Sequence, residues 1–302
     1  MERKKSLNVD IGRSIADFKA AMREFELKYK LYRIILRGKG LEFDSYREYA
    51  PDDDAESIDW KASMRANKLL AKRYKEERNL KVVFIIDIGE NMVFGSTAKL
   101  KCEYAVETIA AFAHLIVTSG DKIGYVLFNE TVKDYVKPVA GLKQFNRMIA
   151  DITKPEIYKG MSNLNNAFDF VLNYVNGVES LIVVSDFLTF DQGAAKKLSL
   201  IANKIETLAL MVKDPLDRTL PDVSGELVVE DPRTGQQLLV NPKVVRNVYE
   251  KFSKEQEDFL RKVCLRHDID LLELITDKGF VPHLSEFLKG RVKKVNLVKG
   301  LK

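Results

Sequence analysis

Two apolar runs in this chain end on a carboxylate. "KVVFII" leads from Lys81 into Asp87, and "SLIVVS" leads into Asp186. Ser162 follows "YKGM" at the start of a helix-like stretch. Two carboxylates and a hydroxyl are hard oxygen ligands of the kind that Mg2+ or Mn2+ takes. An open α/β sheet would bring such residues together, because its ligands sit beyond the carboxyl ends of the strands. The same residues also suit local duties. Asp87 and Ser162 can cap the helices that follow them, and Asp186 can form a turn with Phe187 and Leu188.

Other catalytic groups are sparse. The histidines are His114, His267 and His283. His114 falls inside a helical pattern, and none stands at metal-ligand spacing from Cys102 or Cys264. Those two cysteines lie in helix-like segments and read as small buried hydrophobes, not as a disulfide framework. "RGKGLEF" is no phosphate-binding loop, the Walker and dinucleotide fingerprints are absent, and there is no Gly-x-Ser-x-Gly elbow.

The elements around the carboxylates alternate. "KVVFII" has the continuous apolar character of a central parallel strand buried on both faces. Leu100 to Ser119 is predicted helical from Ala105, Ile109, Phe112 and Ile116. "KIGYVLF" is a second strand, and "TVKDYVKPV" an antiparallel edge, since Pro138 cannot donate to a ladder. Helices are predicted over Phe145–Asp151, from Ser162 onward, and over Asp191–Ile205. "SLIVVSDF", "TLALMV" and "IDLLEL" complete the strands. Tyr249–His267 and Pro282–Lys289 are the last helices. This alternation predicts an α/β fold with a doubly wound, mostly parallel sheet flanked by helices. Residues 1–79 form an N-terminal extension packed on the main domain of 80–290. That domain carries an irregular insertion at about 213–245, with a hairpin "GELVVEDPRTGQQLLV". Residues 291–302 are a basic tail. Within the extension, Ile15, Phe18, Met22, Phe25 and Tyr29 mark one face of a helix over 12–35, whereas Ala62 to Lys75 reads as either helical or extended.

Of the 302 residues, 49 are Lys or Arg and 44 are Asp or Glu. "KGRVKKVNLVKGLK" at the C-terminus holds six of the basic residues and no acidic one, so the body is near balance. A basic stripe interleaved with aromatics, as nucleic-acid binders carry, is missing. No apolar run approaches the roughly 20 residues of a membrane span. The N-terminus lacks the apolar stretch of a signal peptide, so the cytoplasm is the expected compartment.

The stretch "YREYAPDDDAESIDWKASMRANKLLAKRYKEER" resembles the signature of the DUF58 family, whose core is like the von Willebrand factor type A domain. Tyr46, Arg47, Tyr49, Pro51, Asp53, Asp54, Ile58, Asp59, Trp60 and Arg65 stand at the family's positions, with Asp52 for the usual glycine and Met64 for the alanine before Arg65. "KVVFIIDIGENMVFG", "GDKIGYVLF" and "LIVVSDF" extend the likeness, which runs from about Gly38 to Arg291. The resemblance implies a von Willebrand factor A-like fold and a metal-ion-dependent adhesion site. Asp87 matches the first aspartate of that site, Ser162 the usual threonine and Asp186 the later aspartate. Gly89 and Asn91 replace the two serines, so the site is degenerate. The implied metal set is Asp87, Asn91, Ser162 and Asp186, holding Mg2+ or Mn2+ weakly or not at all.

The resemblance also implies a non-catalytic protein-interaction or adaptor module, working with a MoxR-type AAA+ ATPase. A metal-dependent hydrolase at Asp87 and Asp186 is the alternative, and nucleic-acid binding through the basic tail a further one. Trp60 is expected to be buried, docking the extension on the sheet, with Asp59 and Arg65 paired at that seam. Asp52, Asp53 and Asp54 would cap turns.

Overall fold

The computed structural model describes residues 6–23, 43–50, 58–74, 79–223, 225–230, 236–288 and 290. In chain order the elements are α1 Ile11–Arg23, β1 Phe43–Glu48, α2 Trp60–Ala66, β2 Leu70–Tyr74, β3 Lys81–Asp87, α3 Lys101–Thr118, β4 Lys122–Phe128 and β5 Val132–Ala140. There follow α4 Leu142–Ile152, α5 Leu164–Tyr174, β6 Ser180–Ser185, α6 Gln192–Ala202, β7 Glu206–Lys213, β8 Leu227–Glu230, β9 Gln237–Val240, α7 Pro242–Arg266, β10 Asp270–Ile275 and α8 over 280–288.

β3 takes the centre because it has no polar face, and Val82 to Asp87 are all buried. Successive side chains of a strand point to opposite faces, so β3 feeds two cores. Val82, Phe84 and Ile86 pack with Phe18, Ile109, Phe112, Met148 and Leu284. Val83 and Ile85 pack with Phe168, Leu198 and Leu260 on the other side. The strand order is β10-β7-β6-β3-β4-β5. β5 alone runs antiparallel, against β4, with Pro138 on that edge. The remaining pairings are parallel. After β3 the chain winds one way, to β4 and β5. It then crosses back and continues on the far side of β3 with β6. The reversal places a crevice at the carboxyl ends of β3 and β6, where open sheets bind ligands.

α3 is buried along most of its length because it is covered twice. Ala105, Ile109, Phe112 and Ile116 join the same core as the sheet side chains, and α1 covers another flank with Phe18 and Met22. The helix expected over 12–35 is seen as α1. Its later positions, Phe25 and Tyr29, lie outside the described residues.

Several boundaries differ from the sequence reading. α7 starts at Pro242, seven residues before the predicted Tyr249, because Asn241 caps it through Lys243 N at 3.1 Å and Pro242 fits the first helical turn. The insertion is correspondingly shorter. It contains the predicted hairpin as β8 and β9, and residues 231–235 at its turn lie outside the described residues. The ambiguous stretch from Ala62 to Lys75 divides into the end of α2 and strand β2, with Asn67 turning the chain at φ 51° between them.

The expectation for Trp60 is overturned. Its side chain is 64% exposed, and Met64, one turn later on the same face of α2, is 80% exposed. The face of α2 turned inward carries Ser63, whose Oγ accepts from Leu70 N at 2.8 Å. Asp59 does not pair with Arg65 as a seam. It caps α2, accepting from Lys61 N at 3.1 Å and Ala62 N at 3.0 Å, and it receives the Tyr46 hydroxyl at 3.1 Å. Trp60→Ala is therefore expected to change stability by no more than about 0.5 kcal/mol. As the chain has one tryptophan, the wild-type emission should be that of a solvated indole, readily quenched by acrylamide. A large loss of thermal stability in Trp60→Ala would contradict this placement.

Candidate functional site

Four loops meet at the crevice. Asp87 ends β3 and is 1% exposed. The chain then passes Gly89 into a short 3-10 turn, Glu90–Val93, that carries Asn91. Ser162 lies just before α5. It is not the helix cap, as one sequence reading had it. Asn163 performs that duty, accepting from Asn166 N at 3.1 Å, and this leaves the Ser162 hydroxyl for Asp87. Asp186 follows β6, and the chain reverses there because Phe187 adopts φ 55°. Leu188 N donates to Asp186 Oδ1 at 3.0 Å, so the expected turn at Asp186 is present. Backbone bonds tie the loops together: Glu90 N to Gly160 O at 2.8 Å, Lys159 N to Ile88 O at 3.2 Å and Asn163 N to Asn129 O at 2.9 Å.

The four residues read from the sequence are hydrogen-bonded to one another. Ser162 Oγ donates to Asp87 Oδ2 at 2.8 Å, and Asn91 Nδ2 donates to Asp186 Oδ2 at 2.9 Å and to Asp87 Oδ2 at 3.3 Å. Gly89 N donates to Asp87 Oδ1 at 2.9 Å.

Sequence reasoning missed three further members. Ser185 Oγ donates to Asp87 Oδ2 at 2.6 Å. Its signal was register: Val184 pairs with Ile86, so the next residue of β6 lies beside Asp87. Lys101, 1% exposed at the first turn of α3, places Nζ 2.8 Å from Asp186 Oδ2 and 3.0 Å from Asp217 Oδ2. A cation at a helix N-terminus opposes the macrodipole, and what holds it there is supplied by carboxylates 85 and 116 residues away. Lys213, at the end of β7, is 2% exposed, and its side chain makes no hydrogen bond or ion pair among the described residues.

The electrostatics separate the two carboxylates. Burial, reinforced by the Asp186 charge, lifts the Asp87 carboxyl to about 6 against the hydrogen bonds from Ser185, Gly89 and Ser162. Burial would raise Asp186 as well, but Lys101 and Lys213 outweigh it and hold that carboxyl below its ordinary value. Burial pulls Lys101 down, and Asp186 and Asp217 more than restore it, so the ammonium stays charged. Lys213 is held below the usual lysine value, chiefly by burial.

As placed, these residues do not fit a resident divalent ion. Asp87 Oδ2 already accepts three protein donors, and Asp186 Oδ2 accepts an ammonium and an amide. The Asn91 amide turns its N–H end to both carboxylates and leaves Oδ1 buried without a donor. An unpaired acceptor costs about 1–3 kcal/mol, whereas each hydrogen bond to a charged group contributes about 1.5–3 kcal/mol, so two such bonds outweigh it. Gly89 is part of the same arrangement. A Cβ there would stand 2.2 Å from Asn91 Oδ1 and 2.9 Å from Ser162 N, so Asn91 fills the space a serine at 89 would need. Among the described residues, no group of three or more His, Cys, Asp or Glu is arranged to hold a metal.

The remaining motif residues lie apart from this cluster in chain and element. Tyr46 and Arg47 are exposed on β1, Tyr49 follows it, and Arg65 is exposed near the end of α2. Asp52, Asp53 and Asp54, like the basic tail 291–302, lie outside the described residues.

The sheet order, its antiparallel edge and a polar cluster at the switch point define a von Willebrand factor A-like α/β protein. The profile described as "Protein of unknown function DUF58" matches residues 45–259, and the chain belongs to that family. Relatives include the uncharacterized proteins Rv1480 of Mycobacterium tuberculosis and Mb1516 of Mycobacterium bovis. Each is 26% identical over 287 residues, covering 90% of this chain and 89% of the relative. Among solved structures, BatB from Bacteroides thetaiotaomicron is 16% identical, covering 71% of this chain and 100% of its own, with a TM-score of 0.45. An aerotolerance-related membrane protein from Bacteroides fragilis is 14% identical, covering 72% and 100%, also at 0.45. No helix among the described residues is long and apolar enough to cross a membrane.

Proposed function

We propose that this chain is a protein-interaction module whose docking face is the rim around Asp87, Asn91, Ser162 and Asp186, and that it serves a MoxR-type AAA+ ATPase in the cytoplasm as an adaptor. The observation that supports a docking face is a set of exposed apolar side chains on the same loops. Val93 is 40% exposed, Phe94 43%, Met161 45% and Leu188 38%. Each lies within three residues of a cluster member. Large apolar side chains gathered on loops over a rigid polar base are what an interface core needs. The base is rigid because every loop is bonded to the next. The cluster's hydroxyls are engaged as donors to the buried Asp87 carboxylate, and no imidazole stands within its hydrogen bonds among the described residues.

The ATPase partner rests on the family resemblance and is tested directly. The full chain is used to recover partners from its native cell, with and without ATP and Mg2+, beside a Met161→Asp/Leu188→Asp variant. These two side chains are exposed, so the variant is expected to fold. Recovery of an AAA+ ATPase by the wild type, lost in the variant, is the expected result. Equal recovery by both proteins would remove the rim as the docking face, and failure to recover any such ATPase would remove the adaptor role.

A further inference from the structure

We infer that this chain supplies the cation of its own rim site: the Lys101 ammonium, assisted by the Asn91 amide, neutralises the carboxylates, and the site is complete without a divalent ion. Lys101 Nζ touches Asp186 Oδ2 at 2.8 Å and Asp217 Oδ2 at 3.0 Å, with side chains of 1% and 9% exposure around it. A buried charge persists only when paired and hydrogen-bonded, and each of these groups is. Lys213, also buried, lies near Asp186 and Asp217 without a direct bond to either, and burial disfavours its charged form. The Lys101 ammonium, 2.8 Å from Asp186 Oδ2, would repel an incoming divalent ion.

The substitution at 89 and 91 follows the same logic. Asn91 brings two amide hydrogens to the point between the carboxylates, and Gly89 makes room for it. A donor there is attractive to carboxylates and repulsive to a metal. The position of Lys101 points the same way. At the first turn of α3 its charge opposes the helix dipole, and the carboxylates of Asp186 and Asp217 are what hold it there. Docking at this rim then needs no divalent ion, and a chelator does not undo it. The inference concerns the isolated chain and stands whichever partner docks.

The test is a Mn2+ titration of the full-length protein followed by electron paramagnetic resonance, with melting curves in Mg2+ and in EDTA. The wild type is expected to leave the free-Mn2+ signal unchanged and to melt at one temperature in both media. Lys101→Ala keeps every carboxylate and removes the ammonium. It is expected to melt lower than wild type in EDTA and to regain part of that loss with Mg2+. Saturable uptake of Mn2+ by the wild type, abolished in Asp87→Ala, would overturn the inference. So would a Lys101→Ala protein as stable as wild type in EDTA. Should Lys101→Ala fail to fold, the wild-type titration decides alone. Partner recovery in EDTA is a separate readout, so loss of the adaptor reading and loss of this one are told apart.

Discussion

Lys101→Ala is expected to lower the stability of the folded chain by about 3–5 kcal/mol, the range for removing one partner of a buried ion pair. The size follows from what is left behind. Asp186 is 1% exposed and would keep only Asn91 Nδ2 and Leu188 N as donors. Asp217 would keep its carboxylate bond from Asp214 N at 2.8 Å but lose both contacts to the ammonium. Water cannot replace Lys101 easily, because the side chain fills a site of 1% exposure. The cost is not the net worth of the pair, since a buried pair also carries its desolvation. A double-mutant cycle separates the two. Asp186→Asn retains the shape and removes the charge that Lys101 was neutralising. Combined with Lys101→Ala, it should recover part of the loss, giving a coupling of about 2 kcal/mol. Urea unfolding of the four proteins measures it. Additive losses would mean that Lys101 acts through packing alone, and the electrostatic account of the rim would fall.

The parts of this molecule that could be read from sequence are those whose pattern is local. β3 and β6 are continuous apolar runs, and burial on both faces dictates that composition. Their terminal aspartates were legible because polar residues at the end of such a run have to find donors. The parts that could not be read depend on what a distant segment supplies. Lys101 resembles any surface lysine until Asp186 and Asp217 are placed beside it from 85 and 116 residues away. Ser185 reads as the last residue of a strand, and only the register with Ile86 turns it toward Asp87. Trp60 misled because size alone argues for burial. In a seven-residue helix the inward face is set by the cap and by the Ser63 bond to β2, and these turn residue 60 outward. Ser162 and Asn163 are both good caps by type. The choice between them is made by Asp87, which needs a hydroxyl donor.

Phe18→Ala is expected to cost about 3 kcal/mol, at the lower end for a buried phenylalanine, although Phe18 lies well before residue 45, where the family match begins. The side chain is 1% exposed and joins the core that holds Phe84 and Phe112. Met22, 6% exposed, and the partly buried Leu7, Val9, Ile11 and Ile15 extend the same contact. Two charge-assisted bonds hold the start of this segment against α3. Asn8 N donates to Glu103 Oε1 and Asp10 N to Glu107 Oε1, each at 2.7 Å. Glu103, 0% exposed in the first turn of α3, also accepts from Leu100 N at 2.9 Å and sits where the helix dipole favours an anion. The segment is thereby tied to α3 both by these backbone donors and by its apolar side chains in the shared core. The lower end of the range applies because α1 lies at the periphery and can settle toward the space the ring leaves. Urea unfolding should show a single transition shifted to lower denaturant with its slope unchanged. Two transitions in the wild type, with Phe18→Ala moving only the first, would show that residues 6–23 fold as an appendage, and the proposal that the N-terminal extension is integral to the main domain would fail.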